Sequence, residues 1–248
     1  TNDAHIRGLK RKVFQNMEND VLKELNGAFL VNSKIKVPCP SVVIRGAIRE
    51  EPEKAVEADT KNEVPKLLFS STLDKQRGIE VLLEALNYTT KDFQLTITGR
   101  GEAEEKIKNT NDKRIRFLGY LDYETYKKEL READICLNVQ LAHHEFGNFS
   151  FPSKIFEYLS AGKLVVSSDV ADAKEALGDT LIIYENDDPK QLAAAIDKAI
   201  AIVKDDGMLQ SYEKKIAEVV RENSIAAVAD KVNHLLDVCK AEKRKDFR

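Results

Sequence analysis

The chain has 248 residues, 42% of them hydrophobic and 33% charged, and its 39 Lys and Arg against 42 Asp and Glu leave a net charge of −3. That balance gives no general attraction to nucleic acid, and the only basic run is the short tail Lys240–Arg248, so a DNA or RNA partner is disfavoured. The three widely spaced cysteines, Cys39, Cys136 and Cys239, suggest neither a disulfide framework nor a zinc cluster, and a reducing cytoplasm is the expected setting. No apolar run approaches the roughly 20 residues of a membrane span and no signal-peptide core is recognisable, which leaves at most a peripheral contact with a membrane.

In chain order, residues 7–26 read as a charged amphipathic helix with Leu9, Val13, Met17 and Leu22 or Leu25 on its buried side, followed by the apolar strand Ala28–Val31. Lys36–Pro40 is a break, because Pro38 and Pro40 exclude helix and central strand alike. Strands are then expected at Ser41–Arg45, Lys66–Phe69, Gln94–Thr98, Ile115–Leu118, Ile135–Val139, Leu164–Ser167 and Leu181–Ile183. Helices are expected at Gly78–Leu86, Ala103–Asn109, Tyr123–Glu132, Pro152–Ala161, Ala171–Ala176 and Pro189–Val203, the last with Leu192, Ala195, Ile196, Ala199, Ile200 and Val203 on one face. This alternation marks an α/β fold of the Rossmann-like kind, a parallel sheet with helices on both faces. Glu50–Lys66 is too charged to hold a core, and residues 208–222 and 224–243 read as two final helices.

The most informative stretch is Phe151–Val166. Pro152 suits a first helical position, Ser150 and Ser153 are short hydroxyls able to cap, and Gly162 ends the helix before the strand Leu164–Ser168. Ile155, Phe156, Leu159 and Ser160 can face the core, while Ser153, Lys154 and Glu157 share another side. Free amides, a positive dipole end and Lys154 form a seat for phosphate, and Glu157 one turn on can accept hydrogen bonds from vicinal ribose hydroxyls. The alternative is a solvated Glu157 partnered by Lys154. After Gln94–Thr98, Gly99, Arg100 and Gly101 allow a sharp turn at the carboxyl end of the sheet, where ligands of open α/β folds bind. An NAD fingerprint is not met, since Glu102, Glu104 and Glu105 follow Gly101 in place of a third glycine.

These residues together resemble the donor domain of GT-B glycosyltransferases of the family 4 type, whose nucleotide-sugar motif reads roughly F-P-S-K-x-x-E-Y-L-x-x-G-K-x-V. The resemblance runs from about Ser41 to the C-terminus through the further landmarks Leu67–Ala85, Leu95–Gly101, Ile115–Leu121 and Ala133–Leu137. It implies a retaining transferase, independent of any metal or other cofactor, that moves a sugar from a nucleotide diphosphate sugar to a saccharide or lipid-linked acceptor, in bacterial surface polysaccharide or glycoconjugate assembly. Residues 1–37 would be the remnant of an N-terminal acceptor domain with its linker, residues 38–205 the donor domain, and residues 206–248 helices that cross back toward the acceptor domain.

In that frame Arg77, Lys154 and Glu157 are the catalytic candidates. Leu118, Gly119, Tyr120 and Leu121 would meet the nucleobase, and Gly99, Arg100, Gly101 and Ser153 the nucleotide. Glu145 and Asn148 would touch the transferred sugar. The sequence departs from the family at two places: Ser71 and Thr72 stand where the first half of a basic pair is usual, with Lys75 and Arg77 following, and Phe149 stands where the first carboxylate is usual. A non-catalytic nucleotide-binding or interaction module of the same fold is the alternative that these departures would predict. His143 and His144 adjoin Glu145, but neighbouring histidines point different ways and no metal is expected there.

Overall fold

The computed structural model describes residues 20–22, 24–49, 63–142 and 151–246. Most of the helix expected over residues 7–26 lies outside them. The first element described in full is β1 (Ala28–Leu30), which pairs in parallel with β2 (Ser41–Val43), Ala28 opposite Ser41. The strand expected at Ser41–Arg45 is therefore shorter and belongs to a separate two-stranded sheet. Its half-buried side chains differ from the central strands, whose residues are buried on both faces.

The remaining strands β3 (Lys66–Ser70), β4 (Gln94–Thr98), β5 (Ile115–Gly119), β6 (Ile135–Asn138), β7 (Leu164–Ser168) and β8 (Leu181–Tyr184) form one parallel sheet in the order β5-β4-β3-β6-β7-β8. Eight helices connect and follow them among the described residues: α1 (Ile79–Ala85), α2 (Glu104–Lys108), α3 (Tyr123–Glu132), α4 (Lys154–Ser160), α5 (Ala173–Leu177), α6 (Pro189–Lys204), α7 (Asp206–Glu222) and α8 (Ile225–Asp246). None of the described helices is long and apolar enough to cross a membrane.

Period-two alternation divides the core. Leu67, Phe69, Leu95, Ile97, Ile135, Leu137 and Val166 face Ile79, Leu82, Leu192, Ile196 and Ile200 of α1 and α6. Leu68, Cys136 and Val165 face Leu130 of α3, Ile155, Tyr158 and Leu159 of α4, and Ile216 of α7. Each of these fully buried apolar side chains contributes about 2 kcal/mol. The strands are thus fixed, and variation falls to the loops at their ends. The α6 face expected from periodicity is buried in full, with Asp188 capping it through the amides of Lys190 and Gln191.

Sheet order reverses between β3 and β6. Connections from β3 run one way and those from β6 the other, so a crevice opens where their carboxyl ends part. Two glycines let the chain approach closely there. A Cβ on Gly78, at φ +73°, would stand 1.8 Å from the carbonyl oxygen of Val139, and one on Gly99, at φ +135°, 1.8 Å from that of Ser71.

The β1–β2 sheet is held to the main sheet by a buried carboxylate. Asp172, just before α5, accepts the Ser33 amide at 2.7 Å and Nε of Arg45 at 3.2 Å, and Nη2 of Arg45 also bonds to it. Burial pushes this carboxyl upward, but the Arg45 guanidinium and Ser33 outweigh it and hold the group below its ordinary value. Further along, Ile48 donates its amide to Asn223 at 2.7 Å and accepts that of Ile225 at 3.0 Å, tying the segment after β2 to the junction of α7 and α8.

Candidate functional site

The loop leaving β3 is the floor of the site. The Ser71 amide donates to Thr98 at 3.2 Å and the Leu73 amide to Arg100 at 3.0 Å, so the loops after β3 and β4 are bonded side by side. Over this floor lies α4, whose Lys154 sends its Nζ to the carbonyl oxygen of Ser70 at 2.6 Å and to the Ser70 hydroxyl at 3.1 Å. Burial lowers the Lys154 ammonium below its usual range, Glu157 acts the other way, and Arg77 adds to the lowering. Lys154 and Arg77 line the same crevice with exposed side chains and disfavour each other's charge, an arrangement that an anion between them would relieve.

Two adjoining cavities share Ser70, Ser71, Thr72 and Lys154. The first, of about 310 Å³, lies at the switch point between the ends of β3 and β6 and includes Arg77, Asn138, Gln140, Phe151 and Ser153 in its walls. The second, of about 670 Å³, is lined by Gly99, Arg100, Tyr120, Leu121, Tyr123, Tyr126 and Glu157 among others. Lys154 stands on the seam between them.

Arg77 is aimed by its surroundings. Asp74 caps its short turn through the Arg77 amide at 2.9 Å, and Nη1 donates to Oε1 of Gln140 at 2.5 Å. In the second cavity the Arg100 guanidinium lies 5.1 Å from the centre of the Tyr120 ring, and Tyr120 is 71% exposed, so neither is committed to the core. Glu157 accepts the Tyr126 hydroxyl at 3.0 Å.

Of the residues named from sequence, Ser71, Thr72, Arg77, Arg100, Gly99, Tyr120, Leu121, Ser153, Lys154 and Glu157 come together around these cavities. Lys75, Gly101, Leu118 and Gly119 line neither. Lys75 sits two residues before Arg77 on a tight turn and presents its amide toward Glu102 at 3.4 Å. Gly101 packs on the Leu73 backbone with its amide taken by Glu104 at 3.1 Å, and the Gly119 carbonyl accepts the Gly99 amide and the Thr98 hydroxyl, both at 2.8 Å. Glu145 and Asn148, with Ser150, His143 and His144, lie outside the described residues. Among the described residues no group of three His, Cys, Asp or Glu side chains converges to hold a metal.

Two local expectations at α4 are corrected. Ser153 makes no side-chain cap, because its backbone is already helical at φ −57° and ψ −26°, a geometry that turns the hydroxyl away from the amides ahead. Ser160 is exposed, and Tyr158 occupies the core instead, since α4 packs against α7 as well as the sheet and buries a wider arc. Sequence reading also missed Tyr126, Gln140 and Ser70, whose site contacts come from distant parts of the chain.

Fold and site together define a doubly wound parallel α/β protein with a cationic cleft at its switch point. The family profile described as Glycosyl transferases group 1 matches residues 64–201, more than half of the chain, and the protein belongs to that family. It is similar to a phosphatidyl-myo-inositol mannosyltransferase of Mycobacterium leprae, 30% identical over 175 residues that make up 67% of this chain and 44% of the relative. It is also similar to a phosphatidylinositol N-acetylglucosaminyltransferase component from Arabidopsis thaliana, 23% identical over 174 residues, or 67% of this chain and 38% of the relative. The chain thus matches less than half the length of these curated relatives. A solved glycosyltransferase from Rickettsia africae shares the fold with a TM-score of 0.57 at 21% identity, over 81% of this chain and 57% of that one.

Proposed function

We propose that this chain is the donor-binding half of a retaining glycosyltransferase of the family 4 type that transfers a sugar from a nucleotide diphosphate sugar to a hydroxyl acceptor without a bound metal. The observation that carries the reading is the Lys154 ammonium, fixed by Ser70 on the seam between two cavities, with Glu157 one helical turn further along the wall. A diphosphate at the seam would place the nucleoside in the larger cavity, against Tyr120 and Glu157, and the sugar in the smaller one. Negative charge grows on the leaving oxygen as the glycosidic bond breaks, and Lys154 with Arg77 would stabilise it. Glu157 acts on orientation by holding the ribose.

The names of both curated relatives contain a phosphatidylinositol, which supports a lipid-linked acceptor; with it our reading places the reaction at the cytoplasmic face of a membrane, in polysaccharide or glycoconjugate assembly. Calorimetry with UDP, GDP and their sugars tests the site directly, and no measurable nucleotide affinity would overturn it. Phe149, in place of the usual first carboxylate, favours a second reading as a non-catalytic nucleotide-binding module. Joining the chain to an acceptor half and assaying sugar transfer separates the two.

The pH dependence of binding follows from Lys154. The free group is lowered from 10.5 by burial, and only its protonated form attracts the diphosphate. UDP or GDP affinity should be level near neutrality and fall as pH rises through that lowered value. Titrations between about pH 7 and about pH 10, run beside Lys154→Met to subtract ionisation of the nucleobase, read this. An affinity that stays constant across that range would remove Lys154 from the anion site.

A further inference from the structure

We propose that Tyr126 is a positioning residue whose hydroxyl pins the Glu157 carboxylate, so that ribose hydroxyls meet an acceptor already in place. This rests on the donor reading above and adds to it a source of ribose selectivity. Tyr126 lies in the second turn of α3, a helix whose start is fixed by Asp122 accepting the Thr125 amide at 3.0 Å. From there its hydroxyl reaches Oε2 of Glu157 on α4 at 3.0 Å. Lys154 lies three residues before Glu157 and 5.6 Å from the Tyr126 ring centre, yet its amine is turned to Ser70. Among the described residues Tyr126 is therefore the side chain that donates a hydrogen bond to this carboxylate.

A carboxylate accepts at about four lone-pair positions, so one donor leaves room for two vicinal hydroxyls. The terminal torsion of a glutamate is broad, and without a fixed donor the group must be ordered when the ligand binds. The phenol is a lasting donor: burial first, then the Glu157 charge, push its titration far above the usual range.

Tyr126→Phe removes the oxygen and keeps the ring. UDP and GDP, each with its 2′-deoxy counterpart, serve as probes in calorimetry on the purified chain. Wild type should prefer the ribonucleotide, and Tyr126→Phe should weaken it about tenfold while weakening the deoxynucleotide much less. In a double-mutant cycle, Tyr126→Phe placed on Glu157→Gln should change the preference no further. Equal losses for both nucleotides, or a full additional loss on the Glu157→Gln background, would assign Tyr126 to packing alone and overturn the inference. A wild-type chain that binds neither UDP nor GDP would overturn the donor reading itself, and this assignment with it.

Discussion

Lys154→Met is expected to weaken UDP or GDP binding about a hundredfold while the melting temperature stays level or rises. The two effects part because the ammonium is poorly placed for stability. Burial disfavours its charge, Arg77 disfavours it further, and Glu157 offsets only part of this. Methionine fills a similar volume without a charge to desolvate, at the loss of two hydrogen bonds to Ser70. A diphosphate on the seam needs that charge, and no other cation among the described residues lines both cavities. Calorimetry beside a thermal melt reads both quantities. The variant should also lose the part of the alkaline fall in affinity that Lys154 contributes, leaving only that from ionisation of the nucleobase. Unchanged affinity together with a lower melting temperature would make Lys154 a structural residue, the reverse of the role assigned to it.

How much of this was legible before folding depended on the range of the contacts. Much of the α4 segment could be read, because Gly162 and the spacing of Ile155, Phe156 and Leu159 are local signals that packing did not overrule, although the helix opens at Lys154 and not at Pro152. The sheet was legible for the same reason, each central strand being an apolar run bounded by turn residues. Partner identity was not. Ser70 meets Lys154 across 84 positions, Gln140 meets Arg77 across 63 and Tyr126 meets Glu157 across 31, and no periodicity in one segment reports on another that far away. Lys75 shows a smaller limit of the same kind: a tight turn separates side chains two positions apart, so the composition Lys75, Arg77 could not say which would face the cleft. Arg45 and Asp172, paired across 127 positions, gave no sign in sequence at all.

That last pair leads to the largest expected change in stability. Arg45→Met should destabilise the fold at neutral pH by about 3 kcal/mol, because it leaves the buried Asp172 carboxylate without a counter-charge. The Ser33 amide and hydroxyl remain, but neutral donors do not replace a counter-charge for a carboxylate only 2% exposed. The pH dependence identifies the cause. In the wild type the folded value of Asp172 lies below its unfolded one, so its contribution is present above the unfolded value and disappears as pH falls through the folded one. Without Arg45 burial is opposed by Ser33 alone, and the folded value is expected to move above the unfolded one. Stability of the variant then declines as pH rises between those two values, where the native state holds a proton that the unfolded chain has released. The gap between the two proteins should therefore be small in acid, where both carry a neutral Asp172, and widen toward neutrality. Urea unfolding at a series of pH values measures it. A gap independent of pH would instead assign the loss to the contact of Arg45 with the Phe151 ring, 5.9 Å away, and would mean that β1 and β2 are held to the sheet by packing and not by charge.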